Sequence, residues 1–226
     1  MGRKKKAKQT EDTTLNGTQS ISYQGNIKLS INRGDKTIMT KNYHNAGMPN
    51  LFKFLANCLA GNISEFMRPV KIKLFDLPGA DTVNGVESAA RVTPNGFQWG
   101  KSWELSSDME PQAITPYILY ETTPTITKRH DEKDSNNEDN DYYEVTFHFR
   151  VPFSYISGKY IYLVGFYPNN ATSDKDDVSA YYMFTTENGT KWEPLELNEG
   201  VQGGNFTLII DWTLAIMNKM NTSSNE

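Results

Sequence analysis

The chain is poor in the residues on which most catalytic and metal chemistry depends. Its 226 residues hold one cysteine and three histidines, His44, His130 and His148. A lone cysteine excludes an intramolecular disulfide and any multi-cysteine metal site, and three scattered histidines leave little for a His-rich centre. No run of about 18 apolar residues occurs, so no membrane-spanning helix is expected. No apolar stretch follows the basic N-terminal residues, so an ordinary secretory signal is not expected either. Six N-x-Ser/Thr sequons, beginning at Asn16, Asn62, Asn170, Asn188, Asn205 and Asn221, are then read as accidents of an Asn-, Ser- and Thr-rich chain. Also missing are a Gly-rich phosphate loop ending in Lys-Ser/Thr and the G-x-S-x-G, H-E-x-x-H and C-x-x-C motifs. A pair of carboxylates for glycoside hydrolysis stays open, because such partners can lie far apart in sequence. The expectation is a protein without enzymatic activity and without a cofactor or metal.

What the chain does have is material for a core. It is 37% hydrophobic and 12% aromatic, which separates it from disordered sequences, and its length suits one domain. Charge is unevenly spread. Arg3, Lys4, Lys5, Lys6 and Lys8 stand among the first ten residues with no acid beside them. With −4 on the whole chain, those five cations leave −9 for the remainder. A broad basic surface for nucleic acid is therefore not expected. Residues 1–19 read as a flexible basic arm whose attraction to an acidic neighbouring subunit, or weakly to DNA, would be screened by salt.

From residue 20 to 218 the pattern is that of a single β domain. Ile27-Lys28-Leu29-Ser30-Ile31 alternates with period two, Asn32-Arg33-Gly34-Asp35 marks a turn, and Thr37–Tyr43 returns, a hairpin signature. One helix is predicted over 50–60. Asn50 is its candidate cap, and Leu51, Phe54, Leu55, Cys58 and Leu59 share a face that Gly61 terminates. Cys58 is thus expected to be buried and unreactive. Further strands are predicted over 70–77, 114–128, 142–154, 160–167, 180–186 and 206–217. Of these, 142–154 alternates most cleanly, with His148 on its polar face, and 160–167 is apolar on both faces, as a central strand is. Residues 219–226 form a polar end. The predicted fold is mainly all-β, an antiparallel sandwich of roughly eight strands with one short helix.

Two kinds of segment break the pattern. Residues 79–112 show no period and carry Phe97, Trp99 and Trp103. So long a connection is often functional. These rings either cap the core or form a contact surface for a partner, and the second use makes the loop the main partner-binding segment together with the arm cations. The acidic stretches 131–141 and Asp174, Asp176 and Asp177 read as solvated tips, with a weak cation site as the alternative, since neither reproduces a calcium-loop spacing.

The hairpin leading into His44-Asn45-Ala46-Gly47, the helix Leu51-Phe52-Lys53-Phe54-Leu55-Ala56-Asn57-Cys58-Leu59-Ala60-Gly61 and the closing strand Phe206-Thr207-Leu208-Ile209-Ile210-Asp211-Trp212-Thr213-Leu214 occur in that order. The combination resembles small β-rich virion proteins of tailed bacteriophages, including those of crAss-like phages. The resemblance covers about half the chain. It implies a building block of the particle: a head decoration, a collar or tail-ring component, or a fibre-attachment protein. Its location would be the virion, its partners other virion proteins and copies of itself. It assigns no functional residue. A second class fits the same features: a carbohydrate-binding or adhesin-like module that stacks sugar on Trp99, Trp103 or Trp192.

Overall fold

The computed structural model describes residues 18–47, 49–62, 68–80, 92–101, 109–130, 141–196 and 206–221. In chain order these form β1 (Thr18–Arg33), β2 (Lys36–Gly47), α1 (Pro49–Leu59), β3 (Pro69–Asp76), β4 (Gln112–Ala113), β5 (Ile118–Leu119) and β6 (Thr125–His130). There follow β7 (Asp141–Pro152), α2 (Phe153–Ile156), β8 (Tyr160–Ile161), β9 (Leu163–Pro168), β10 (Ala180–Met183), β11 (Leu195–Glu196) and β12 (Phe206–Asn221). The fold is mostly β, antiparallel and sandwich-like. One continuous sheet runs β4-β3-β9-β10-β2-β1-β12-β7-β6, with β5 paired to β3, and doubles back on itself to give two layers.

The turn of the first hairpin follows the sequence. Arg33 pairs with Lys36, and Gly34 takes φ +58, the sign that a primed hairpin turn needs and that a side chain resists. Period two then carries Ile27, Leu29 and Ile31 inward with Phe147, Phe149 and Val151 of β7 and Leu208, Ile210 and Trp212 of β12. Ile72, Leu74, Val164 and Phe166 meet them from the second layer. The fold-over lies between β2 and β10, which touch through two residue pairs, Gly47↔Ala180 and Ala46↔Tyr181.

β9 explains its own sequence. Val164 and Phe166 face this first core, while Leu163 and Tyr167 face a second one on the opposite side of the layer. A strand covered on both faces is apolar throughout. The cover on the second side is supplied by the segment after β3.

Several expectations are corrected. The 114–128 run is not one strand: β5 and β6 are short pieces of it, separated from β4 and from each other by Pro116 and Pro124, which cannot donate to a ladder. The helix begins at Pro49, and Asn50 does not cap it. Its Nδ2 donates instead to the carbonyls of Asp176 (2.6 Å) and Val178 (3.3 Å), tying the helix to the loop before β10. Gly61 does end the helix, at φ +76, with Asn62 N–H donating to Asn57 C=O and Gly61 N–H to Cys58 C=O. Only Leu51 on the apolar face is fully covered. Leu59 is 78% exposed and Cys58 is half-buried, because the helix lies against the margin of the sandwich rather than between its layers. The domain limits at 19/20 and 218/219 fall inside the β1–β12 ladder, which runs from Thr18↔Asn221 to Arg33↔Phe206.

Candidate binding groove where the sheet folds over

β2 and β10 pair only where β2 ends and β10 begins, and back along β2 from that contact the two segments part. Residues Lys41–Tyr43 of β2 separate from Tyr182 and from the segment 184–187 that continues β10. The gap is a groove of about 610 Å³, lined by Lys41, Asn42, Tyr43, Tyr182, Phe184, Thr186, Glu187 and Glu193 among others. Period two sets its floor. Tyr43 lies opposite Ile27 and shares its inward face, and Tyr182 and Phe184 alternate on their own segment. The rings converge: Tyr43 to Tyr182 at 4.7 Å, Tyr43 to Phe184 at 5.7 Å edge-on, and Tyr182 to Phe184 at 5.1 Å edge-on. Glu193 is held beside them, since its backbone N–H donates to the Phe184 carbonyl. Burial, and then the Glu193 charge, push the Tyr43 hydroxyl up to about 12. Tyr182 is raised as well, by burial first and then by Tyr43 and Glu193. The groove thus joins an aromatic floor to a carboxylate rim, a combination suited to a ligand with apolar and polar or cationic parts.

The loop aromatics are placed elsewhere. Phe97 and Trp99 are 4% and 5% exposed, inside the second core with Phe75, Leu77, Val92, Tyr162, Tyr167 and Trp192. Phe97 stands edge-on to Trp99 at 6.1 Å and to Trp192 at 5.9 Å, and Trp99 stands edge-on to Phe75 at 5.2 Å. Both indoles are hydrogen-bonded: Trp99 Nε1 donates to Asp174 C=O (2.9 Å) and Trp192 Nε1 to Val92 C=O (2.8 Å). Phe97 and Trp99 therefore cap the core, and the contact surface expected of them is not available from their rings. Trp192, equally covered, offers no sugar platform. Trp103 and the arm cations Arg3, Lys4, Lys5, Lys6 and Lys8 lie outside the described residues, as does the acidic stretch 131–140.

Asp174 is the fixed point of this region rather than part of a solvated tip. Lys73 Nζ lies 2.8 Å from both carboxylate oxygens, Tyr117 Oη donates to Oδ1 (2.7 Å), and Tyr167 Oη donates to the backbone carbonyl (2.9 Å). Lys73 also sits 4.3 Å from the Tyr117 ring centre. Nearby, Asp177 Oδ2 accepts from the backbone N–H groups of Thr172 and Ser173 (both 2.8 Å), a side-chain-closed turn.

On the outer face of the first layer His148 Nδ1 lies 2.6 Å from Asp211 Oδ1, directly across the β7–β12 ladder, with Glu121 at 3.8 Å from Nε2. The predicted polar setting of His148 is the one observed. Among the described residues no group of three or more His, Cys, Asp or Glu side chains is arranged to hold a metal ion.

The chain matches no family model, no curated protein and no solved structure.

Proposed function

We propose that this protein is a non-enzymatic structural component of a tailed-phage particle, acting in the virion by assembly with other virion proteins and with copies of itself. The observation that carries this reading is a projecting ribbon. β1 and β12 are the longest strands, and they pair beyond the reach of their neighbours. β2 joins β1 only from Gly25, and β7 reaches β12 only as far as Ile216. From Thr18↔Asn221 to Ser22↔Met217 the two strands have only each other among the described residues. At about 3.3 Å per residue this overhang is roughly 16 Å long. A two-stranded ribbon is marginal alone, and its open edges are templates for another chain. Strand addition by a neighbouring subunit would cover them.

The test is mass spectrometry of gradient-purified particles from a culture expressing the gene. The chain should co-purify in fixed proportion to the other particle proteins. Its absence from particles would overturn the reading.

A carbohydrate-binding module is the second reading, and Tyr43 and Tyr182 beside Asn42 and Glu193 favour it. Sugar binding abolished by Tyr182→Ala, with the chain absent from particles, would establish it instead.

A further inference from the structure

We infer that the open edge of β1 in the overhanging ribbon is an acceptor for the chain's own residues 11–15, which fold back through Asn16-Gly17 and make the ribbon three-stranded. The consequence for assembly rests on the reading above: of the ribbon's two edges, only that of β12 is then left for a neighbouring subunit.

The acceptor is a matter of register. β1 gives one edge to β12 along its whole length, from Thr18↔Asn221 to Arg33↔Phe206. β2 takes the other edge only from Gly25↔Asn45 inward, because beyond Asn45 it crosses to β10 through Ala46 and Gly47. On that side residues 18–22 have no partner strand among the described residues. The edge is also unguarded. Thr18-Gln19-Ser20-Ile21-Ser22 holds no charge and no proline, and it runs against β12 without a bulge. The outermost strand β6, by contrast, carries Lys128, Arg129 and His130.

The occupant is the nearest one in the chain. Asn16-Gly17 stands immediately before Thr18, and Asn-Gly is the dipeptide that a two-residue type I′ turn selects, since both central residues need positive φ. Such a turn sets Leu15 against Thr18, Thr14 against Gln19, Thr13 against Ser20, Asp12 against Ile21 and Glu11 against Ser22. β12 already holds the far side of β1, so the return has only the open side to take. No like charges meet, because β1 is uncharged there, and threonine suits a strand. The register also stops at a natural point: carried on, it would set Lys8 against Gly25, the place Asn45 already fills. The polar stretch thus fills the overhang, and the basic cluster begins where β2 turns away. A third strand relieves the marginal stability of a two-stranded ribbon. Closing a two-residue turn favours the chain's own segment over a second copy's, which loses translational and rotational freedom on arriving.

The test uses the full chain carrying Cys58→Ser, Thr13→Cys and Ser20→Cys in a glutathione redox buffer. Directly opposed residues of an antiparallel pair have Cα atoms about 4.5–5.5 Å apart, within the span of a disulfide. The expected result is a disulfide within one chain, read by mass and by mobility on a non-reducing gel. It should form about tenfold faster than in a control with Gln24→Cys in place of Ser20→Cys, and Gly17→Val, which opposes positive φ, should slow it about tenfold. A disulfide joining two chains would overturn the assignment in favour of a neighbour's arm. So would no disulfide, or equal rates for the paired and control positions, as a tethered but unpaired segment gives. Hydrogen exchange read by mass spectrometry needs no cysteines. Residues 18–22 of the unaltered chain should exchange about tenfold more slowly than in a chain lacking residues 1–15, with 27–31 alike in both. Equal exchange at 18–22 would also overturn the assignment. If particles contain the chain but the introduced pair does not join, this assignment fails and the assembly reading stands. If the pair joins and particles lack the chain, the reverse holds.

Discussion

Trp212 and Trp192 are both buried, yet they are held in different ways. Trp212 lies between the two layers, stacked on Phe166 at 4.9 Å, surrounded by Leu, Ile, Val and Phe, and its indole N–H has no hydrogen-bond partner among the described residues. Trp192 lies under the loop, edge-on to Phe97 and Tyr162, and donates to the Val92 carbonyl a hundred residues away. The contrast extends to their surroundings. The first core is a pleated-sheet interior in which alternation and volume select the residues. The second is an assembly of rings whose polar atoms are tied to backbone: Trp99 and Tyr167 to Asp174, Trp192 to Val92, with Tyr117 on the Asp174 carboxylate. Apolar packing is non-directional and tolerates exchange, whereas a hydrogen-bonded ring fixes one arrangement of the segments it joins. The second core is what gives a segment without regular structure a defined path over β3 and β9.

The largest effect is expected from breaking that path. Trp192→Ala should cost about 3–5 kcal/mol for the lost ring. It also removes the indole hydrogen bond to the Val92 carbonyl, adding about 0.5–1.5 kcal/mol. Trp99→Ala should be nearly as costly, although Asp174 C=O retains the Tyr167 hydroxyl. Urea unfolding followed by far-ultraviolet circular dichroism measures both. A loss under about 1 kcal/mol at either position would show that these rings are surface groups after all, contrary to the burial described here.

Next in size is Gly165→Ala. A Cβ on Gly165 would stand 2.6 Å from Tyr167 Cε2 and 2.8 Å from its hydroxyl oxygen. Tyr167 cannot swing aside freely, since that hydroxyl donates to Asp174 C=O and the ring is packed against Phe75, Trp99 and Tyr117. Overpacking of this kind costs about 1–3 kcal/mol. The position is a sensitive probe of the comparison because Val164 and Phe166, its neighbours in β9, face the other core. If Gly165→Ala lowers stability while Val164→Ile leaves it nearly unchanged, the second core is the stiffer one. Equal losses would mean that both cores resist extra volume alike.

How much of this was legible in the sequence divides along the same line. The first core was readable because its rule is local: alternation in 27–31, 142–152 and 206–214 assigns each side chain a face without reference to a partner. The apolar run 160–167 likewise announced a strand covered on both sides. The second core obeys no local rule. Phe97 and Trp99 are fixed by Asp174 and Trp192, and nothing in their own neighbourhood separates a ring that plugs from a ring that binds. The helix shows an intermediate case. Its periodicity and its Gly61 stop were readable, but how far the apolar stripe would be covered depended on where the helix docks. The groove was not visible at all, because Tyr43 and Tyr182 are brought together by the fold-over of the sheet. Ser173 three residues before Asp176 and four before Asp177 was a usable sign that this tip is a closed turn.

Alkaline titration sharpens the comparison from another side, with no effect at neutral pH. Tyr117 and Tyr167 in the second core are raised above the ordinary tyrosine value, by burial first and then by Asp174 through a hydrogen bond or its charge. Tyr43 and Tyr182 in the groove are raised as well. A group whose folded value is raised contributes stability that is complete below its unfolded value. That contribution is lost as pH climbs through the folded value. Stability should therefore be level up to about pH 10 and decline beyond it, with Tyr43 titrating at about 12. Absorbance at the tyrosinate band should show Tyr43, Tyr117, Tyr167 and Tyr182 ionising only above the ordinary tyrosine range. Ionisation of all 12 tyrosines in a single ordinary step, with stability unchanged, would contradict the packing described.

The smallest effect is expected at Trp212, and it tests the comparison most directly. Replacing Trp212 by Phe removes the outer part of a stacked indole, a loss of two or three carbon equivalents at about 0.8 kcal/mol each. It also removes a buried N–H without a partner, whose desolvation costs about 1–3 kcal/mol for as long as it is present. The two terms oppose each other, so Trp212→Phe should change stability by about 1 kcal/mol or less. At Trp192 they add. The same substitution shrinks the ring and discards a 2.8 Å hydrogen bond to the Val92 carbonyl. Trp192→Phe should therefore cost roughly 2 kcal/mol more than Trp212→Phe, although both begin from an almost fully covered indole. Measuring the pair in one urea series cancels most unfolded-state contributions, since the side-chain change is identical. A difference near zero would mean that volume alone governs both cores, and that the hydrogen bonds beneath the loop accompany its path without determining it.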